Sequence, residues 1–155
     1  MKTSQIEHTP VGAALSNVIL DLFRVSNSLL TQGDRLVAPL GLTSARWQVL
    51  GTIIKAERPQ PVAWLARDMG ANRQNVQRIV NDLAKEEWVE FAENPHHRRA
   101  ALVMLTVKGR AVFDAAMALE SPWMNALAEG LELEDIAKVQ HVLKLLSMRL
   151  ESSET

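Results

Sequence analysis

The chain has 155 residues, 47% of them apolar and 23% charged, with 17 Lys and Arg against 18 Asp and Glu. That balance fits one globular domain able to bury a core, and the lack of cysteine excludes disulfides, zinc–thiolate sites and thiol redox sensing. No apolar run approaches the roughly 18 residues of a bilayer span, and the opening MKTSQIEHTP has neither the apolar core nor the cleavage site of a signal peptide, so the expectation is a cytoplasmic protein with no membrane partner.

The first predicted element is a long helix. Val11, Leu15, Val18, Leu22, Val25 and Leu29 recur at spacings of three and four, which places them on one face. Pro10 sits where this helix can begin, and Pro39 where it must have ended or kinked. In LTSARWQVLGTIIKAE, Thr43 is placed to cap a second helix with Trp47, Leu50 and Ile54 on one face. Arg58, Pro59, Gln60 and Pro61 break the chain, and Pro61 suits the first position of the next helix. That helix, PVAWLARDM, buries Val62, Leu65, Ala66 and Met69 and stops at Gly70, which tolerates the left-handed cap conformation.

Asn72 then caps NRQNVQRIVNDLAKE, with Val76, Ile79, Val80 and Leu83 as its inner stripe. The runs WVEFA and AALVML, joined around Asn94-Pro95, have the length and alternation of a β-hairpin. Thr106 can cap a further helix through VKGRAVFDAAMAL; Pro122 implies a kink or a new start before WMNALAEG, which Gly130 ends. Ile136, Val139, Leu143, Leu146 and Leu150 form a second apolar seam near the C-terminus, and the final ESSET is expected to be disordered. The two seams either pack on each other or pair with those of a second copy; their excess of apolar surface favours the homodimer.

Two short helices joined by a glycine turn and followed by a hairpin make a winged helix-turn-helix. The predicted fold class is therefore mainly α (α+β), a winged helix-turn-helix over residues 41–111. Long N- and C-terminal dimerisation helices, residues 1–40 and 112–155, flank it. The second short helix presents Arg73, Gln74, Asn75, Gln77, Arg78 and Asn81 outward, after its cap Asn72. Amide side chains pair with an adenine edge and guanidinium groups with guanine, and a helix of this size fits the major groove. An ordinary solvated face would mix Glu and Lys, which appear only at Lys85, Glu86 and Glu87.

Charge agrees. From Arg58 to Arg110 there are nine basic and six acidic residues, net +3, which leaves eight basic and twelve acidic elsewhere, net −4. At the hairpin His96, His97, Arg98 and Arg99 stand together. Adjacent arginines repel, and a phosphate backbone relieves that repulsion while releasing counterions. Double-stranded DNA is thus the expected partner, contacted by Asn72–Asn81 in the major groove and by His96–Arg99 at the wing.

The segments LTSARWQVL, VAWLARDMGANRQNVQRIVNDLAKEEWVEF and NPHHRRAALVMLTVKG together resemble the MarR (multiple antibiotic resistance regulator) family over roughly Leu42 to Gly109. The wing is the most specific piece. The family reads Asp-Pro-x-Asp-x-Arg, then apolar residues, then Leu-Thr-x-x-Gly, and this chain has Asn94-Pro95-His96-His97-Arg98-Arg99 and Leu105-Thr106-Val107-Lys108-Gly109. The resemblance puts Arg99 on the wing arginine that enters the minor groove. It puts Arg78 on the arginine that follows a threonine in the recognition helix, with Gln77 in the threonine's place. His97 replaces the aspartate that orients the wing arginine, which implies a less rigidly held Arg99. Glu87 replaces the glycine that closes the recognition helix, which implies an exit made differently. It further implies a homodimeric transcriptional regulator, a repressor on a pseudo-palindromic operator, released by small aromatic or phenolic acids. The ligand pocket would lie between the dimerisation helices and the winged region, with Arg46, Trp47, Trp64 and Trp123 as candidates to line it.

Other function classes fit less well. Apart from His96-His97 the four histidines are scattered, and no nucleophile–base spacing or phosphate-binding glycine loop occurs, so no catalytic residue and no cofactor is expected. Adjacent histidines on an extended chain point to opposite sides, so no metal site is expected. The alternative is a winged helix that binds protein rather than DNA.

Overall fold

Thr9 starts the first helix by accepting a hydrogen bond from the Gly12 N–H at 3.0 Å, with Pro10 in the first turn, where its missing N–H costs nothing. In the computed structural model, which describes residues 7–153, this helix is α1, Pro10–Val37. A 3₁₀ turn, Ala38–Leu40, carries Pro39 and ends at Gly41, whose φ of 74° is left-handed. There follow α2 (Ser44–Lys55), β1 (Gln60–Pro61), α3 (Val62–Asp68), α4 (Arg73–Lys85), β2 (Val89–Ala92), β3 (Leu102–Leu105), α5 (Val107–Leu127) and α6 (Leu133–Ser152). The chain divides into two compact units, one ending at Leu119 and the other beginning at Glu120, and α5 runs across the division.

The expected caps form. Thr43 Oγ1 accepts from the Arg46 N–H at 3.2 Å, and Asn72 Oδ1 accepts from Gln74 and Asn75 N–H at 2.9 and 3.2 Å. Gly70 takes φ 60° between α3 and α4, and Gly130 takes φ 80° after α5. The first unit's core is built from Val49 and Leu50 of α2, Val62 and Leu65 of α3, and Val76, Val80 and Leu83 of α4, closed by Trp88, Val89 and Val103 of the wing. The fold class is the expected α+β winged helix. None of the described helices is long and apolar enough to cross a membrane.

Several local expectations are corrected. The sheet has three antiparallel strands in the order β1-β3-β2, because Gln60 pairs with Val103 and Pro61 with Leu102. Pro61 therefore lies in an edge strand, where a residue without an N–H is tolerated, and serves as N-cap of α3 rather than its first residue. The hairpin is shorter than WVEFA and AALVML imply: Ala100 and Ala101 belong to the loop. Met69 and Ile54 are only half-buried; Val49 and Ile53 take the inner positions of α2. Pro122 sits inside α5 without a new start, so the Ala118 carbonyl four residues back receives no backbone N–H from it. Glu151 and Ser152 of the expected disordered tail end α6, and the last two residues lie outside the described ones.

Two junctions join the elements. At the first, Ser44 N–H donates to Asp34 Oδ1 at 2.6 Å and Ser44 Oγ to the Leu30 carbonyl at 2.8 Å, fixing α2 to the end of α1. Gly33 makes room for this, since a Cβ there would stand 2.6 Å from Ser44 Oγ. At the second, Glu87 leaves α4 with φ 61°, in the left-handed region. The exit is thus made in the conformation a glycine would adopt, not differently as the sequence implied, and a non-glycine residue bears the strain there. Thr106 caps α5 by accepting from the Gly109 N–H at 2.9 Å while its hydroxyl donates to the Glu87 carbonyl at 2.7 Å. A Cβ on Gly109 would lie 2.0 Å from the Trp88 carbonyl oxygen.

Opposite stability changes follow at this second junction. Gly109→Ala forces backbone apart and is expected to destabilise the protein by about 1–3 kcal/mol. Glu87→Gly relieves left-handed strain of about 1–2 kcal/mol but gives back about 0.4–1 kcal/mol in unfolded-state entropy, for a modest net stabilisation. Urea denaturation of both variants checks the signs; a neutral Gly109→Ala would show that the close approach is not a constraint.

Candidate nucleic-acid interface

The outer face of α4 exists because its inner face is fully committed. Val76, Val80 and Leu83 are each at most 1% exposed, and Ile79 is buried beside them. With 3.6 residues per turn, the remaining positions must turn to solvent. Asn72, Arg73, Gln74, Asn75, Arg78 and Asn81 are exposed and Gln77 is half-buried, all on the surface predicted to read bases.

These side chains are arranged in pairs along the helix. Arg78 donates to Asn75 Oδ1 at 2.9 Å, and Gln77 donates its amide hydrogen to Asn81 Oδ1 at 3.0 Å. Asn72 has its carbonyl oxygen engaged in the cap, which leaves its NH₂ group for other partners. Asp82 closes the face on one side, with Lys85 at 3.4 Å and both Arg46 and Arg78 at 3.9 Å. One carboxylate thus gathers three cations and ties α2 to α4.

The wing tip is built around Asn94. Its Oδ1 accepts from the His96 N–H at 3.0 Å and its amide donates to the Ala100 carbonyl at 2.9 Å, so the side chain spans the loop. Backbone bonds from His97 N–H to Asn94 and from Ala100 N–H to His97 tighten it further. His96, His97, Arg98 and Arg99 are all exposed in this turn-rich loop. The two histidines therefore stand on turns rather than on the extended chain assumed from sequence, and the arginines are not at the root of β3. Among the described residues neither Arg98 nor Arg99 has an ion-pair or hydrogen-bond partner for its guanidinium. No group of three or more His, Cys, Asp or Glu side chains able to hold a metal occurs among the described residues.

The four residues expected to line a ligand pocket each have their own surroundings. Arg46 meets Asp82 and donates to the Gly41 carbonyl at 3.4 Å, Trp47 packs against the core, and Trp123 belongs to the second unit. Trp64 is 44% exposed on α3, with the Arg67 guanidinium carbon 5.2 Å from its ring centroid. Together with Arg58, Gln60 and Arg73 it lines a cleft against the wing loop. Sequence reasoning treated Arg58 and Gln60 only as a chain break. The adjacent Pro59 and Pro61 hid a strand that pairs with residues more than forty positions away.

A sequence model described as the MarR family matches residues 40–100. The multiple antibiotic resistance protein MarR of Escherichia coli is 30% identical over 138 residues, which cover 84% of this chain and 93% of MarR. The crystal structure of an E. coli MarR mutant complexed with operator DNA is similar with a TM-score of 0.68 and 27% identity, over 84% of this chain and 96% of that one. CouR from Rhodococcus jostii, solved with p-coumaroyl-CoA bound, shares the fold at a TM-score of 0.75 and 22% identity, over 83% of this chain and 90% of its own.

If Arg78 reads a base edge, Arg78→Ala should weaken binding to a preferred DNA site by about 1–3 kcal/mol per half-site and relax selectivity at one base position. A gel-shift titration against single-base variants of that site measures both. Unchanged affinity would remove Arg78 from the interface.

Proposed function

The chain belongs to the MarR family of DNA-binding transcriptional regulators, and from that premise we propose that it acts as a homodimeric repressor on a pseudo-palindromic operator and is released by a small aromatic ligand. The observation that carries this reading is the outer face of α4: a run of exposed amide and guanidinium side chains on the second helix of the motif, followed by a wing tip with two exposed arginines. Asn72, Arg73, Gln74, Asn75, Gln77, Arg78 and Asn81 meet the major groove, and His96, His97, Arg98 and Arg99 meet the flanking backbone and minor groove. Occupancy of an operator that overlaps a promoter blocks transcription without any chemistry, which makes repression the simplest output and catalysis unnecessary.

Apolar exposure supports the dimer. Along α1, Val11, Val18, Leu22, Val25 and Leu29 of the expected seam are exposed, and so are Leu20, Phe23 and Leu30. Along α6, Ile136, Val139, Leu143 and Leu150 are exposed. Faces of this length are unfavourable in water, and a second copy covers them. Residues 1–40 and 112–155 are accordingly assigned to dimerisation and 41–111 to DNA binding. The dimer would set the two α4 helices about 34 Å apart, one turn of duplex. The bonds of Ser44 to Asp34 and Leu30 would carry that spacing from α1 into α2. An organic effector has a precedent of fold in CouR with its p-coumaroyl-CoA.

Selection of bound fragments from genomic DNA, followed by light scattering of the free protein and its complex, tests the reading. A two-fold-related sequence motif and a dimer mass are expected; a monomer, or no enrichment of any sequence, would refute it and favour a protein-binding winged helix. On the selected operator, Arg99→Ala should flatten the dependence of log affinity on log salt by about 0.9 for each phosphate the variant no longer neutralises, while leaving base preference intact. An unaltered slope means that Arg99 touches neither phosphate nor groove.

A further inference from the structure

A cleft of ≈ 690 Å³ opens between the wing loop and the segment that leads into α3. That volume is the size of a site for a small organic molecule. Its charge is of one sign. Arg58, Arg73 and Arg99 line it, with His96 and His97, and no acidic residue does. Among the described residues none of these three arginines has an ion-pair partner, in contrast to Arg46 and Arg78, which share Asp82.

The remaining wall is apolar and flat. Pro59, Pro61 and Leu102 contribute to it, and Trp64 adds a large aromatic surface. Beside them the Gln60 carboxamide oxygen is buried without a hydrogen-bond partner. An acceptor left unsatisfied is costly, and β1 holds Gln60 in place through its pairing with Val103. The lining therefore offers cations for a multiply charged anion and an aromatic face for a planar ring.

We propose that this cleft binds an aromatic phosphate monoester of about nucleotide size, and that its occupancy excludes DNA. The proposal deepens the regulatory reading above and rests on it for the second half, because Arg73, Arg99, His96 and His97 belong to both surfaces. Three guanidinium groups match a phosphate dianion, whose three terminal oxygens accept several charge-assisted hydrogen bonds; a monocarboxylate would leave at least one of them unused. The backbone of a duplex is a poorer occupant. Each of its phosphodiesters carries a single charge, and its bases are stacked away from Trp64.

The test uses the whole protein free of DNA, titrated calorimetrically with 1-naphthyl phosphate, and with 1-naphthol and inorganic phosphate as the two separated halves. Saturable binding with a midpoint below 1 mM is expected for the joined molecule, at least tenfold tighter than for either half. Arg58→Ala and Trp64→Leu should each weaken it at least tenfold, and Arg58→Ala should leave operator affinity within about twofold. Added naphthyl phosphate should release operator from the wild type but not from Arg58→Ala. Absence of saturable binding overturns the proposal, as does binding that ignores both substitutions. A tenfold loss of operator affinity in Arg58→Ala overturns it too, and marks the cleft as a seat for the DNA backbone. Binding of the probe by a protein that binds no operator would sustain the cleft and refute the regulatory reading instead.

Discussion

The geometry of the DNA-facing surface depends on one peptide group, that of Trp88. Its carbonyl oxygen accepts the Thr106 N–H at 3.1 Å, and Gly109 lies so close that no side chain fits there. Glu87, one residue earlier, turns the chain left-handed out of α4, and its own carbonyl receives the Thr106 hydroxyl. The end of the recognition helix, the start and return of the wing, and the first turn of α5 thus converge within a few ångströms. Because Trp88 is itself buried, none of these elements can tilt without disturbing the core. The base of the wing is oriented by backbone bonds, in which position 97 takes no part.

Such convergence also explains which features were legible in the sequence. Thr43, Gly70, Asn72, Thr106 and Gly130 act on backbone within a few residues of themselves, so their type and spacing reveal their roles. The inner stripe of α4 and the long seams follow from period alone, whereas the inner places of Val49 and Ile53 on α2 fall off the face read there. The strand β1 could not be found this way: two residues have no periodicity, and their partner β3 is decided by the tertiary fold. Gly33 and Gly109 look like ordinary helix glycines until Ser44 and the Trp88 carbonyl are placed beside them. The pairing of Arg46 with Asp82 could not be read either, because its partner lies 36 positions along the chain on another helix.

The same distinction separates the two cationic surfaces. On α4, Arg78 is already hydrogen-bonded to Asn75, and Gln77 to Asn81. These exposed bonds exchange readily with water and contribute little to stability. They do narrow the rotamers that a base must find, which reduces the entropic cost of binding. At the wing, Arg98 and Arg99 are exposed and have no ion-pair partner among the described residues, an arrangement suited to phosphate, where position matters less than charge. On the proposed reading, base selectivity would belong to α4, and long-range attraction and salt dependence to the wing.

This division gives the position of the cleft its regulatory consequence. A ligand held far from DNA must act by favouring one of two dimer spacings, and its effect is limited by its differential affinity for them. A ligand in the wing cleft would compete for Arg73 and Arg99 directly, so its effect would be limited only by its concentration relative to its own affinity. It would also act on each half of a dimer independently, giving a graded response to concentration instead of a cooperative one. Phosphate recognition would weaken first and base recognition only as a consequence, since Arg78, Gln77 and Asn81 lie outside the cleft lining. Release by such a ligand should consequently be steepest at low salt, where the phosphates contribute most to affinity.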